Sequence, residues 1–136
     1  MLKGYERLSG ILVSEYNKTK VKFPADITLL EKHGLAHLLE TFYSSLEDEI
    51  KKVFMSKGKP IPDSEQWHKE LLSAAKEISL LSDTTFELME ELLKFRHWSR
   101  YAFLEEIQWE RLSENLDRVE ICSQNFRSDV EKFLKS

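Results

Sequence analysis

Cysteine, proline and glycine are scarce in this chain of 136 residues, which contains one cysteine, three prolines and four glycines. The single cysteine, Cys122, excludes an internal disulfide and suits a reducing cytoplasm. It falls in a predicted helix with no basic cluster beside it in the sequence, so we expect a buried, inert thiol. So few helix-breaking residues favour long helices over many short strands.

Long hydrophobic runs and a strong excess of one charge are also missing. No segment approaches the length of about 20 apolar residues that crosses a bilayer, and the first residues carry charges throughout, unlike a secretory leader. The formal net charge of −4 gives no overall attraction to nucleic acid or to an anionic membrane. The length and the mixture of 41% hydrophobic with 32% charged residues predict one globular domain, residues 1–136, in the cytoplasm and away from membranes.

Apolar residues recur at three- and four-residue spacing along the chain, and no segment shows the two-residue alternation of a half-buried strand. This spacing predicts amphipathic helices, the first with its stripe on Leu2, Tyr5, Leu8, Leu12 and Tyr16. The second is long, and its stripe consists of Leu35, Leu38, Leu39, Phe42, Leu46, Ile50 and Val53. Because short connections make consecutive helices neighbours, the sequence predicts an all-α antiparallel bundle of about five helices.

Capping and breaking residues predict where these helices begin and end. Pro24 ends the first pattern, and Asp26 is expected to cap the second helix, in which Gly34 predicts a kink or a close helix contact. The segment "SKGKPIPDSEQW" predicts a loop, with the third helix beginning at its aspartate or serine, Asp63 or Ser64. A fourth helix is expected to start at residues 82–83. A fifth is expected over residues 106–134.

The densest polar and aromatic stretch is "FRHWSRYAF", residues 95–103, within the fourth predicted helix. It holds two arginines and a histidine among four aromatic residues. Such a stretch is open to three interpretations: an active site, the remains of one, or a packed helix with charged edges. Its aromatic residues could stack on bases with the arginines on phosphates, but aromatic residues at helical spacing are usually core or interface.

Three separated blocks resemble the HepT-like members of the HEPN superfamily. In "FYSSLEDEI" (42–50) an aromatic pair precedes a glutamate, Glu47; the other blocks are "WHKELL" (67–72) and "FRHWSRYAFLEEIQWERL" (95–112). The blocks stand in the family's order and cover most of the chain. The resemblance implies a HEPN-type helical bundle. It also implies a metal-independent ribonuclease of the toxin type, whose partner is a minimal nucleotidyltransferase antitoxin that transfers AMP to a tyrosine.

The family's chemical motif consists of an arginine, a polar residue, several further residues, a histidine, and a tyrosine two places later. Arginine offers a permanent charge and a planar set of donors to a phosphate. Histidine titrates near neutrality and can move the proton of a ribose 2′-hydroxyl. In this chain Arg96 and His97 take the first two places, Tyr101 takes the histidine place and Phe103 the tyrosine place.

Both exchanged residues alter the expected chemistry. A tyrosine ordinarily titrates near ~10 and a histidine near ~6.5, so forming a tyrosinate at neutral pH costs several kcal/mol more. The positive charges of Arg96 and Arg100 are expected to offset only part of that gap. Phe103 has no hydroxyl and cannot accept AMP. Standard catalysis and standard regulation are therefore not expected.

His97 is a candidate to take over the proton transfer. It stands four residues before Tyr101, so the two rings are expected to touch on one helix face. The simpler interpretation is that His97 makes hydrogen bonds within the bundle or to a partner subunit. Residues five apart on a helix point ~140° away from each other, so a site that uses both Arg96 and Tyr101 needs a bend or a second chain. The resemblance places that cleft at a dimer interface and implies a homodimer.

The remaining candidates are polar residues in the other helices. Glu47 is expected to pair with Arg96 or Arg100, because a charge near the core needs a partner. His68 at the start of the third helix is expected to be structural. His33 and His37 have a metal-binding spacing, but no third ligand block accompanies them, so we predict neither metal nor cofactor. The lysine-rich segment 51–59 reads as a solvated helix end, with RNA contact as the alternative.

Three functions remain open. The first is a HepT-like toxin-antitoxin component with lost or weakened ribonuclease activity that binds RNA or a nucleotidyltransferase. The second is an active ribonuclease in which Arg96 binds phosphate and His97 or Tyr101 handles protons. The third is a non-catalytic interaction module. A basic groove lined by Arg96 and Arg100 favours the first two, and burial of both arginines in internal ion pairs favours the third.

Overall fold

The computed structural model describes residues 2–101 and 107–136, and over these ranges the chain is helical and contains no strand. The all-α class is therefore confirmed. One 3-10 turn, Pro24–Asp26, lies between the first two helices. The α-helices are α1 (Gly4–Lys20), α2 (Leu29–Ser56), α3 (Trp67–Glu77), α4 (Asp83–Tyr101), α5 (Trp109–Leu116) and α6 (Val119–Lys135).

Contacts at both ends of α1 show how the helices run. At the end of α1, Lys22 forms an ion pair of 2.6 Å with Glu31 at the start of α2. At its beginning, Tyr5 meets Phe126 of α6 edge-to-face with ring centroids 5.0 Å apart. The hydroxyl of Tyr16 near its end donates to Asp117, just after α5, over 2.6 Å. Helix α1 therefore runs antiparallel to α2 and to α6, as predicted for a bundle.

Helix α2 supplies the largest share of a single continuous core. Its predicted stripe is confirmed, apart from the half-buried Leu38. Cys122 of α6 is also buried, as expected, and burial raises the pKa of its thiol to about 12. Within residues 2–101 and 107–136, no helix combines the length and apolarity needed to cross a membrane. The large, fully buried side chains of α2 are those of Leu39, Phe42, Tyr43, Leu46, Ile50 and Phe54.

The N-cap of α2 lies two residues later than predicted. Thr28, not Asp26, is its N-cap, and the Thr28 hydroxyl accepts from the backbone N–H of Glu31. The Glu31 carboxylate in turn accepts from the backbone N–H of Thr28, which completes a capping box. Asp26 belongs to the 3-10 turn that follows Pro24. The N-cap was predicted at the wrong residue. The reciprocal pair of Thr28 and Glu31 satisfies two free backbone N–H groups, and an aspartate at position 26 does not satisfy them.

The predicted fifth helix is two helices, and its predicted first residue, Glu106, lies outside the described residues. The break falls at Asp117 and Arg118, where the Arg118 N–H bonds to the carbonyl of Asn115, three residues back. Asp117 there accepts the hydrogen bond of Tyr16, and the Arg118 guanidinium donates to the Asn115 side chain. These long-range and local polar contacts hold the turn, and apolar periodicity alone does not reveal them.

The ends of α3 and α4 give one correction and one confirmation. Helix α3 begins at Trp67 and not at residues 63–64, because Ser64 forms a turn instead: its hydroxyl accepts from the Gln66 N–H and donates to Glu70. Helix α4 begins at residue 83 as predicted. Ser82 precedes it and accepts from a backbone N–H of the first turn.

Gly34 marks neither a kink nor a close contact, contrary to the prediction. Helix α2 is continuous through it, Gly34 is exposed, and a Cβ built there meets nothing within 4 Å. We therefore expect Gly34→Ala to raise the free energy of unfolding by about 0.5–1 kcal/mol, because alanine loses less backbone entropy on folding. Urea unfolding followed by circular dichroism measures this change.

Gly58 provides the matched control for that substitution. It also has open space around its Cβ position, but its φ is 66°, in the left-handed region that ends α2. Gly58→Ala is expected to lower the free energy of unfolding by about 1 kcal/mol. Equal effects of the two substitutions would contradict this account.

Candidate functional site

Helices α2 and α4 face each other with polar residues along a line that we call the α2–α4 seam. It consists of Glu40 and Glu47 from α2, and of Arg96, Ser99 and Arg100 from α4. Because α2 and α4 run antiparallel, Glu40 lies near the carboxyl end of α4, and Glu47 lies about two turns of α2 deeper. The start of α3 brings one further side chain, His68, to the deeper end.

A hydrogen-bonded chain joins three helices at the deep end of the seam. His68 Nδ1 lies 2.6 Å from a carboxylate oxygen of Glu47, whose side chain is only 3% exposed. His68 Nε2 lies 3.4 Å from Nη1 of Arg96, at the long end of the hydrogen-bond range. Glu47 was predicted to pair directly with an arginine. The structure corrects this, because the His68 ring fills the space between Glu47 and Arg96.

Aromatic packing fixes the orientation of the His68 ring. Trp67 stacks on it with ring centroids 3.6 Å apart and planes at 28°. On the Trp67 ring lies the ammonium group of Lys51, 4.1 Å from the centroid. Lys51 belongs to the lysine-rich segment 51–59, so one lysine of that segment packs against Trp67.

Nε of Arg96 is buried beside this chain without a hydrogen-bond partner among the described residues, and the buried Tyr43 hydroxyl lies close to the Glu47 carboxylate. Burial, and next the negative charge of Glu47, raise the pKa of Tyr43 above its usual range. The positive charge of Arg96 acts on the same hydroxyl in the opposite direction. Tyr43 and Arg96 therefore belong to the same electrostatic environment as Glu47.

The shallow end of the seam is more open. The Ser99 hydroxyl donates to Glu40 over 3.0 Å, and Nε of Arg100 lies 3.8 Å from the same carboxylate. The Arg100 side chain is 59% exposed, so this ion pair is weak and leaves the guanidinium accessible to solvent. Arg100 is therefore available to an anionic ligand in a way that a buried ion pair would prevent.

The end of α4 carries the two remaining candidates on its solvent face. Tyr101 is 78% exposed, and its ring contacts the exposed His97 with centroids 4.9 Å apart, as the spacing predicted. Arg96, by contrast, is half-buried and directed towards α2 and α3. Arg96 and Tyr101 of one chain therefore do not face a common space. Phe103 lies outside the described residues.

Other aromatic residues near this end of α4 pack within the bundle. Phe95 is 1% exposed and contacts Trp98 with centroids 5.6 Å apart. The guanidinium of Arg111 covers the Trp98 ring at 4.4 Å, and Trp109 packs against Tyr16 at 6.0 Å. Base stacking on Trp98 would have to displace Arg111. Of the described aromatic residues of the stretch, this leaves Tyr101 as the open ring.

No group of three metal-binding side chains occurs among the residues that the structure describes. His33 is half-buried and His37 exposed, both on α2. The seam brings together carboxylate, guanidinium, hydroxyl and imidazole groups, side chains that are able to bind an anion or to move a proton.

His68 was expected to be structural, and its contacts with Glu47 and Arg96 were not predicted from the sequence. One signal was present: the "WHKELL" block was among the three that carry the family resemblance. Distance along the chain hid the contact, because Glu47 precedes His68 by 21 residues and Arg96 follows it by 28.

The helix order, the acidic residues of α2 and the arginines near the end of α4 together define a HEPN-type helical bundle. A family model described as "HepT-like protein" matches residues 34–136, well over half of the chain. The chain belongs to this HepT-like family. The comparisons with curated proteins and with solved structures gave no match.

Proposed function

We propose that this chain is a HepT-like toxin-antitoxin component of the cytoplasm that binds RNA at the end of α4 and has lost or weakened its metal-independent ribonuclease activity. One observation carries the proposal: the arginine at the family motif's first place is held by contacts with other helices, while an exposed tyrosine stands at the place of the motif's histidine. Arg96 is supported by His68 and Glu47, and Tyr101 is 78% exposed. A minimal nucleotidyltransferase is the expected protein partner.

The accessibility of Arg100 supports RNA binding over a purely structural role for the seam. An internal scaffold would bury both arginines in ion pairs, whereas Arg100 is 59% exposed and its partner oxygen on Glu40 lies 3.8 Å away. Arg100, Tyr101 and His97 together present a cation, a phenol and an imidazole to solvent. Such side chains bind phosphate and stack on bases of single-stranded RNA.

The orientation of Arg96 supports a homodimer as the functional form. Arg96 points towards α2 and α3, while position 101 faces solvent, consistent with the ~140° between residues five apart on a helix. A second copy could bring its own α4 against this face and combine the two sides in one cleft. We propose that the dimer forms around α4.

The test is RNA binding and cleavage in EDTA, with a single-stranded RNA oligonucleotide as the probe. Arg100→Ala is expected to weaken binding about three- to tenfold and to reduce the salt dependence by about one phosphate contact. Arg127→Ala is the matched control, because Arg127 is also 59% exposed and also paired with a glutamate, but lies on α6. Equal losses in the two variants, or no binding by the native chain, would contradict the proposal.

The contact between His97 and Tyr101 favours an alternative function, an active ribonuclease. In that case His97 holds or orients the phenol, and the native chain cuts RNA in the same assay. Loss of this cleavage in both Arg96→Ala and His97→Ala would establish the alternative.

A further inference from the structure

We propose that His68 is a positioning residue for Arg96, which it holds through Nε2 while its ring is in the Nδ1–H tautomer. The chemistry of its two neighbours requires this arrangement. A carboxylate accepts hydrogen bonds, so Nδ1 must donate to Glu47. A guanidinium only donates, so Nε2 must accept from Arg96. The Nδ1–H form is the less common tautomer of free histidine, so these neighbours select it.

The contacts around His68 maintain Nδ1 as the donor and Nε2 as the acceptor. Glu47 is 3% exposed and anchored in the middle of α2, so its carboxylate cannot turn to solvent. Trp67 stacks on the His68 ring and restricts rotation of its plane, with Lys51 on the Trp67 ring. A flipped ring would direct a carbon atom at one of the partners and leave a charged group without its hydrogen bond.

Holding Nη1 in this way decides which part of Arg96 is presented to a ligand. Nε is buried and Nη1 contacts His68, while the residue as a whole is half-buried. A bound phosphate then contacts Nη2 and the remaining hydrogen of Nη1. The chain from Glu47 to His68 thus orients an arginine that its own α4 backbone would leave free to rotate. This last step rests on the proposed RNA binding, whereas the tautomer does not.

The tautomer is measured by NMR of the full chain without RNA. We expect the ring nitrogen and Cδ2 chemical shifts of His68 to report the Nδ1–H form in the native protein. In Arg96→Met the bond to Glu47 still requires the proton on Nδ1, so the Nδ1–H form should persist, whereas the double variant Glu47→Met and Arg96→Met removes both requirements and should populate the Nε2–H form. An Nε2–H ring in the native protein, or a double variant in which the ring stays wholly in the Nδ1–H form, would overturn the proposal. The native measurement needs no variant and so does not depend on how a variant folds.

The positioning role is measured with two matched substitutions and the RNA oligonucleotide. His68→Asn keeps a donor near the Nδ1 position but has no atom near Nε2, whereas His68→Gln places an amide oxygen near Nε2. We expect His68→Asn to weaken RNA binding about tenfold, the effect of one charge-assisted hydrogen bond, and His68→Gln to stay within about threefold of the native chain. Equal losses in both variants would indicate a merely structural histidine and overturn the role.

A double variant separates action through Arg96 from a general loss of stability. If His68 acts through Arg96, His68→Asn combined with Arg96→Ala binds RNA no more weakly than Arg96→Ala alone. Additive losses would overturn the proposal. If the native chain binds no RNA, the proposed function fails, and the NMR measurement still decides the tautomer of His68 on its own.

Discussion

Tyr101→His is expected to raise the rate of metal-independent RNA cleavage by about 10²–10⁴-fold over the native chain, the usual contribution of a general acid or base. Histidine exchanges protons near neutral pH, whereas tyrosine ordinarily holds its proton up to about pH 10. Position 101 is 78% exposed, so the imidazole fits without repacking the core. Cleavage of a labelled RNA oligonucleotide in EDTA measures the gain.

The gain is expected to depend on protein concentration. Within one chain Arg96 faces α2 and α3 while residue 101 faces solvent, so the two side chains do not share a space. If two copies combine them in a cleft, the rate per chain rises over the concentration range in which dimers form. Sedimentation under the assay conditions gives that range, and a rate per chain independent of concentration would contradict the dimeric cleft.

Two control variants define the origin of the gain. Tyr101→Phe removes the hydroxyl without adding a base and should leave the cleavage rate at the native level. The double variant with Tyr101→His and Arg96→Ala should lose the gain, because the developing charge on the phosphate is no longer stabilised. If Tyr101→His binds RNA but does not cleave it, the proposal that the exchange at position 101 removed the ribonuclease activity is wrong.

Phe42→Ala is expected to lower the free energy of unfolding by about 3–5 kcal/mol, the largest stability effect that we predict. Phe42 is 0% exposed and lies in the middle of α2 within the core. The truncation leaves a cavity that the surrounding side chains fill only in part. Since single domains are stable by about 5–15 kcal/mol, this loss leaves the bundle close to unfolding.

Leu30→Ala is the control for the core substitution. Leu30 also lies on α2 and also loses apolar atoms, but it is 83% exposed. Its effect should stay within about 0.5 kcal/mol. Urea unfolding of both variants, followed by circular dichroism, gives the comparison, and a loss below 1 kcal/mol for Phe42→Ala would contradict the position of Phe42 in the core.

Helix positions could be predicted well and helix ends less well, for a physical reason. The core stripe of α2 follows from apolar spacing along a single helix, which the sequence contains directly. The start of α2 depends on a reciprocal hydrogen-bond pair between Thr28 and Glu31. The division between α5 and α6 depends on Tyr16, about a hundred residues earlier in the chain. Neither contact leaves a periodic signal.

Part of the candidate site could likewise be predicted from the sequence, and part could not. The arginine of α4, the exchanged tyrosine and the contact of His97 with Tyr101 were all predicted from the motif and from helical spacing, because they lie within one helix. The contacts of His68 with Glu47 and with Arg96 were not predicted. These residues come from three helices, and only their packing brings Glu47, His68 and Arg96 together.

The all-α bundle, the HepT-like blocks and the altered motif at the end of α4 follow from the amino-acid sequence alone. These properties depend on residue type and short-range spacing, which do not change when the chain folds. The partner of each charged side chain, by contrast, depends on how the helices pack. A buried carboxylate has to be satisfied by a donor within about 3 Å, and which residue lies at that distance is set by helix packing and not by order in the chain.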